Sequence, residues 1–279
     1  MTDLARLIDL AQADPNVQAI GTEGARNDHE AVADAWTDLD VTLFVRDLAA
    51  ADGHWWLHQL GTPTLVQHLT DTHLFGPDTH TWESWLTRYS GTRRIDLKLA
   101  PVQDLAAYLA GNSLNTLVWQ RDDGRLTARP TSAASHWVPV PTQTQLNNCA
   151  NEFYWCAGNV VKGLARGKLL YANEQFNAHV RPELLRLLSF KATLACDGHF
   201  DAGVSSKFLW ATLTPATQSQ LAATYAQTDL TATRRSLDHA LTLFETTLDG
   251  FVHYASVPYR ASAVAQLRDW LATPALFAR

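Results

Sequence analysis

The sequence predicts an α+β chain in two parts: a mixed-sheet unit over residues 1–140, followed by an all-helical unit over residues 141–279. Three observations carry this expectation. Segments of period two alternate with helical segments up to about residue 140. No alternating segment follows Pro141. Every later apolar pattern has the 3.6-residue spacing of a helix. Strands mixed with helices, then helices alone, is the pattern of an α+β chain or of two adjacent units.

Residues 2–13 read as a helix with Leu4, Leu7, Ile8 and Ala11 on one face. Val17 to Gly21 reads as a strand, and the glycine-containing turn from Gly21 through Gly24, Ala25, Arg26 and Asn27 follows it. Residues 28–37 are polar. Leu39 to Val45 alternates, which puts positions 39, 41, 43 and 45 on the core face of a strand. His54 to Leu60 reads as a helix, and Thr64 to Leu69 and Trp82 to Tyr89 as strands. Arg94 to Leu99 alternates again with Ile95, Leu97 and Leu99 inward. Pro101 suits the start of a helix over 102–109, and Asp122-Asp123-Gly124 reads as a hairpin turn. The helical half has segments over 143–166, 168–195, 218–227, 231–254 and 261–271, with Pro182 placed to kink or divide the second.

Composition narrows the function classes. A formal net charge of -6 weighs against a general nucleic-acid binder, which needs a basic face. It is compatible with a cationic partner, although solubility alone accounts for it. No apolar run approaches the ~20 residues that span a bilayer, and the first residues lack the basic region and apolar core of a secretory signal. Cys149, Cys156 and Cys196 are too few and too scattered for a disulfide framework. A cytoplasmic protein with no membrane partner is expected.

Three acids carry the chemistry. Residues i and i+2 of a strand point to one side, so Asp38 and Asp40 share the face opposite the core near the start of their strand. Asp96 repeats the arrangement between Ile95 and Leu97. If the two strands are neighbours, three carboxylates converge, and like charges so close require a cation between them. Hard oxygen donors suit Mg²⁺, which also shares substrate phosphates, and paired ions stabilise both oxygens of an in-line phosphoryl displacement. Taken alone, Asp-x-Asp is more often a solvated strand face. Gly24 shifts the balance, since a glycine turn lets backbone N–H groups approach a triphosphate. The informative feature is the order: glycine turn, Asp-x-Asp strand, then a lone aspartate on a later strand.

That order resembles the DNA polymerase β-like nucleotidyltransferase superfamily. More closely, the chain is similar to the aminoglycoside 6-adenylyltransferase, or streptomycin adenylyltransferase, family. The resemblance rests on Gly24-Ala25-Arg26-Asn27, on Asp38 to Asp47 and on Arg94 to Leu99. It extends through Asn151 to Trp155, Lys162-Gly163-Leu164, Leu170-Tyr171-Ala172 and Val180-Arg181-Pro182. It implies a nucleotidyltransferase domain beside a helical substrate-binding domain, with ATP as co-substrate and Mg²⁺ as cofactor. Asp38 and Asp40 match the paired metal-binding aspartates. Asp96 matches the third carboxylate, which holds metal and helps deprotonate the attacking hydroxyl. Gly24, Ala25, Arg26 and Lys162 would meet the nucleotide.

The implied reaction moves AMP to a hydroxyl of a small cationic acceptor, streptomycin above others. Glu152, on a polar stripe with Asn148, Asn159, Lys162 and Arg166, and Glu174, seven residues before Arg181, are the acids that would meet the acceptor. Two departures stand out. Gly24-Ala25 replaces the usual Gly-Ser, and Gly203-Val204 falls where the family has Gly-Lys; each removes a phosphate contact. Two other readings fit: AMP transfer to a different drug or metabolite, and a non-catalytic binding protein such as a nucleotidyltransferase-like antitoxin. Retention of three aspartates opposes the latter; Ala25 favours it. Cys149 and Cys156 read as core. Trp55-Trp56 and Trp82/Trp85 read as packing, with ring stacking on a ligand as the minor alternative. Asp71 and Glu83 are candidates for further negative charge near the substrate.

Overall fold

The computed structural model describes residues 2–70, 82–121 and 130–277; Asp71 and the Asp122-Asp123-Gly124 turn lie outside them. The chain divides into two compact units, Met1–Ser135 and His136–Arg279.

The first unit runs α1 (Asp3–Ala13), β1 (Val17–Glu23), β2 (Leu39–Val45), α2 (Gly53–Gln59), β3 (Leu65–Thr70), β4 (Glu83–Arg88), β5 (Arg94–Pro101), α3 (Leu105–Gly111) and β6 (Thr116–Gln120). Its strands form one sheet in the order β3-β4-β5-β2-β1-β6. β2 and β5 run parallel, and the other four neighbouring pairs run antiparallel, so the sheet is mixed. The odd-numbered residues of β2 and β5 fill one face, where Leu7 of α1 and Trp56 and Leu57 of α2 cover them. Each such large side chain taken out of water contributes on the order of 1.5–3 kcal/mol. The opposite face has its own smaller core of Ala19, Phe44, Ala100 and Tyr108. Tyr108 lies edge-on to Phe44, with ring centroids 5.1 Å apart, and donates its hydroxyl to the Thr22 carbonyl at 2.8 Å. Along β2 this second face reads Phe44, Thr42, Asp40. It is apolar at the strand's end and acidic at its beginning, which leaves the polar row free for chemistry.

The second unit comprises α4 (Gln143–Ala165), α5 (Leu169–Gln175), α6 (Arg181–Ala195), α7 (Leu209–Thr212), α8 (Pro215–Ala223), α9 (Leu230–Leu248) and α10 (Arg260–Ala272). α4 starts at a capping box in which Thr142 and Gln145 each bond the other's backbone N–H. Its apolar stripe, Leu146, Cys149, Phe153, Val160 and Leu164, is buried, and Phe153 stacks on Phe244 of α9 at 3.8 Å. Cys149 and Cys156 are both buried. Among the described residues no helix is long and apolar enough to cross a membrane.

Several helix limits differ from the sequence expectation. α8 begins at Pro215 because Thr214 caps it and proline suits the first helical position. α9 stops at Leu248, just before Asp249-Gly250, where a glycine adds backbone entropy to any continuation. The expected helix over 168–195 is interrupted by a π turn at Phe176–Val180, directly before Pro182, which cannot donate to residue 178. One extra residue in that turn rotates α6 about its axis by about 100° relative to α5. Glu174 and Arg181 therefore do not share a face. Glu174 is exposed. Arg181 is buried, donates to the Thr224 hydroxyl at 2.6 Å and its carbonyl at 2.9 Å, and lies over the Tyr225 ring at 3.6 Å.

Gly53 fixes how closely α2 meets the sheet. A Cβ added there would sit 2.2 Å from the Trp85 indole, which is itself buried. Gly53→Ala should destabilise the chain by about 1–3 kcal/mol through overpacking, despite alanine's better helix propensity. Urea unfolding of the variant checks this; parental stability would show that α2 slides freely.

Candidate active site

The parallel register of β2 and β5 builds the site. Asp40 and Asp96 are direct cross-strand partners, so their carboxylates emerge side by side on the face opposite the main core. Asp38, just before β2, joins them. Carboxylate oxygens of Asp38, Asp40 and Asp96 lie within 4.8 Å of one another. Asp96 is only 5% exposed, so its charge has little water to lean on.

Other charged groups complete the site. Glu23 pairs with Asp40 across β1 and β2 and forms an ion pair with Lys98. Lys98, two residues after Asp96 on the same strand face, is 8% exposed. Arg94 grips Asp96 with two hydrogen bonds, Nε to Oδ1 at 2.9 Å and Nη2 to Oδ2 at 2.6 Å, and its Nη1 reaches Asp38 Oδ2 at 3.4 Å. The hydrogen-bonded Asp96 carboxylate raises the guanidinium's pKa. Four acids thus face two bases. The imbalance falls on Asp40, whose carboxyl is pushed up to about 7 by burial, then by Asp38, Asp96 and Glu23, with Lys98 opposing. On the chain's own charges this site takes up a proton near neutrality. A divalent cation held by three hard carboxylate donors would do the same task, so the residues fit such an ion.

The turn before β2 is shaped around these acids. Gly24–Asn27 forms a 3-10 turn. Gly24 has φ +73°, and a Cβ there would lie 2.6 Å from Asp40 Oδ2. Both facts require glycine, and the second shows how near the turn's backbone comes to the carboxylates. Ala25 is the next residue of the turn. Arg26 donates Nε to the Asp38 carbonyl at 2.7 Å and Nη2 to the Thr37 carbonyl at 3.0 Å. It holds the backbone that presents Asp38. Asn27 anchors the other end of the turn, donating to the Leu114 carbonyl at 2.8 Å.

The remaining predicted residues stand on other elements. Lys162 and Glu152 sit exposed on α4, where Lys162 donates to Asn159 Oδ1 at 3.0 Å. Glu152 accepts from the Cys156 thiol at 3.2 Å and lies 4.0 Å from His179 Nδ1, and donor atoms of these three residues also lie within 4.8 Å of one another. Burial, then Glu152, pushes the Cys156 thiol up to about 12, so it is a protonated donor. Glu174 stands on α5, exposed. Val204 is exposed in a strained turn where Gly203, Ser205 and Ser206 all have positive φ. Glu83 is not near the three aspartates. Its strand partner is Leu99, on the main core face, and it lies 3.5 Å from His68. Trp56 and Trp85 are core, Trp85 stacked on His68 at 4.5 Å, while Trp55 is half exposed.

Sequence reasoning missed Glu23, Arg94 and Lys98. Lys98 was legible, since it comes after Asp96 at the period of a strand. Glu23 and Arg94 depend on which strands pair.

A family model described as streptomycin adenylyltransferase matches residues 2–273. An aminoglycoside 6-adenylyltransferase of Bacillus subtilis (strain 168) is 28% identical over 221 residues, 78% of each chain. One of Campylobacter jejuni is 27% identical over 239 residues, 85% of this chain and 83% of its own. A crystal structure of an aminoglycoside 6-adenyltransferase from Bacillus subtilis aligns with 98% of this chain and 100% of its own at 23% identity, with a TM-score of 0.48.

Asp40 gives a pH prediction. Its carboxyl keeps a proton to about pH 7 in the fold but only to about 3.9 when unfolded. Between those values the folded chain binds the extra proton, so stability falls as pH rises from about 4 to 7. EDTA-treated protein should melt at a lower temperature at pH 8 than at pH 5.5. The difference should shrink in Asp40→Asn and on adding a divalent salt. An unchanged difference in Asp40→Asn would assign it to other groups.

Proposed function

The chain belongs to the streptomycin adenylyltransferase family, and on that premise we propose that it transfers AMP from ATP to a hydroxyl of an aminoglycoside, streptomycin above others, disarming the antibiotic. The observation that carries this reading is the convergence of Asp38, Asp40 and Asp96 within 4.8 Å beside a turn whose glycine almost touches Asp40. A solvated strand face has no reason to bury Asp96 or to raise Asp40.

Asp38, Asp40 and Asp96 would hold Mg²⁺, which supplies positive charge to the triphosphate and lowers the pKa of the attacking hydroxyl. The acceptor oxygen forms a bond to the α-phosphorus, the bond from that phosphorus to the bridging oxygen breaks in line, and pyrophosphate leaves. Asp96 takes the hydroxyl proton, as a carboxylate held in place by Arg94. The N–H groups of the Gly24–Asn27 turn bind phosphate oxygens, with Gly24 and Ala25 forming the approach and Arg26 fixing its frame. Lys162 is our candidate for the nucleotide on the helical unit, and Glu152 and Glu174 are our candidates for the acceptor's cations. ATP as co-substrate suits work in the cytoplasm.

The test is pyrophosphate release from ATP with Mg²⁺ and a panel of aminoglycosides. Asp38→Asn, Asp40→Asn and Asp96→Asn should each lower turnover by roughly 10³-fold or more, since members of a cooperating unit fail together. Near-normal turnover in all three would overturn the metal assignment; transfer to kanamycin but never to streptomycin would overturn the substrate. Ala25→Ser adds one hydrogen bond to a charged oxygen, worth about 1.5–3 kcal/mol, and should raise kcat/KM for ATP several-fold. No gain would show that backbone groups already saturate the triphosphate.

A further inference from the structure

Within the helical unit α4, α6, α10 and the 258–259 segment line an open pocket of about 940 Å³. Its walls include Tyr154, Trp155, Tyr259 and Trp270. Trp155 is 76% exposed, an apolar ring left in water where burial would be favourable. Two acids line the space, Glu152 on α4 and Glu183 on α6, and two bases, Lys162 and Arg186.

Glu183 is the unusual member. The residue is 6% exposed, yet its Oε2 has no hydrogen-bond partner. Arg186 Nη1 lies 3.2 Å from that oxygen, but the contact lacks hydrogen-bond alignment, and the Arg186 side chain is about half exposed (53%). Burial above all raises the pKa of Glu183; Arg186 and then the Cys149 thiol only partly oppose this, and Glu152 adds a little to it. A buried carboxylate oxygen without a hydrogen-bond donor is costly; on a residue that lines an aromatic-walled pocket, it makes the carboxylate a place for a cationic donor. Rings beside it favour a flat or diffuse cation over a metal ion.

We propose that this pocket binds a guanidinium or ammonium group of a small-molecule cation, with Glu183 accepting its hydrogen bonds and Trp155 flanking it. On the reading given above the cation belongs to the acceptor. Glu152 lies at the same pocket and adds charge, while Arg186 competes with the ligand for Glu183.

Binding without chemistry tests this. Streptomycin and kanamycin are titrated into the full chain in the absence of ATP and divalent ions, monitored by tryptophan fluorescence and heat. Glu183→Gln, nearly isosteric, should weaken binding about 30-fold or more, the scale for removing one partner of a desolvated charge pair. Arg186→Ala should leave it unchanged or tighten it. Parental affinity in a folded Glu183→Gln chain would overturn the proposal. So would equal weakening by both variants, which would make Arg186 the partner Glu183 exists for, and so would failure of both drugs to bind the parent. AMP transfer by Glu183→Gln with parental KM for the drug would sink the pocket assignment and leave the transfer reading standing. Drug binding that needs Glu183 in a chain that never releases pyrophosphate would do the reverse.

Discussion

The first unit is organised around one cross-strand pair. Asp40 and Asp96 face each other because β2 and β5 lie side by side in parallel, and that register is fixed by Val41, Leu43, Leu97 and Leu99 on the other face. A slip of one residue would turn the apolar set outward and the acids inward. Hydrophobic burial thus brings like charges together. Their repulsion is local, while the apolar face spreads its gain over many side chains. The surroundings temper the conflict: Arg94 on Asp96, Lys98 on Glu23, and a proton on Asp40 up to about pH 7.

The turn between β1 and β2 obeys the same constraint. Asp40 fills the space a Cβ at Gly24 would need. Arg26 commits its guanidinium to the carbonyls of Thr37 and Asp38, which steadies the approach to β2. A loop carrying Asp38 would otherwise be free to relieve the repulsion by swinging away. Preorganisation of this kind means that charge is not rearranged when a cation or phosphate arrives.

Much of this was legible in the sequence, and the parts that were not have identifiable causes. Alternation at 39–45 and 94–99 gave the two strands and the faces of all three aspartates. It could not say that β2 and β5 are neighbours, a long-range fact with no local trace, and so Glu23 and Arg94 stayed unseen. In the helical half, periodicity found the buried stripe of α4 and the polar one carrying Glu152 and Lys162. It failed at residues 174–181, since a π turn leaves the spacing of apolar residues almost unchanged while rotating the helix beyond it. Glu183 was hidden for a related reason: an acid amid Leu184, Leu187 and Leu188 reads as helix surface until packing buries it.

The two acidic places in this chain differ in make-up. In the sheet, several carboxylates crowd a small volume. Such a site favours a compact, strongly hydrated ion that accepts many oxygen donors. In the helical unit, Glu183 lines a pocket with indole and phenol rings, with Glu152 at the same pocket and Arg186 3.2 Å from its Oε2. One buried acid cannot hold a divalent ion against its hydration, but it can accept hydrogen bonds from a guanidinium whose weak hydration suits an aromatic surface. On the readings proposed above, carboxylate number therefore sorts the ligands: a hard ion for the sheet and an organic cation for the helices.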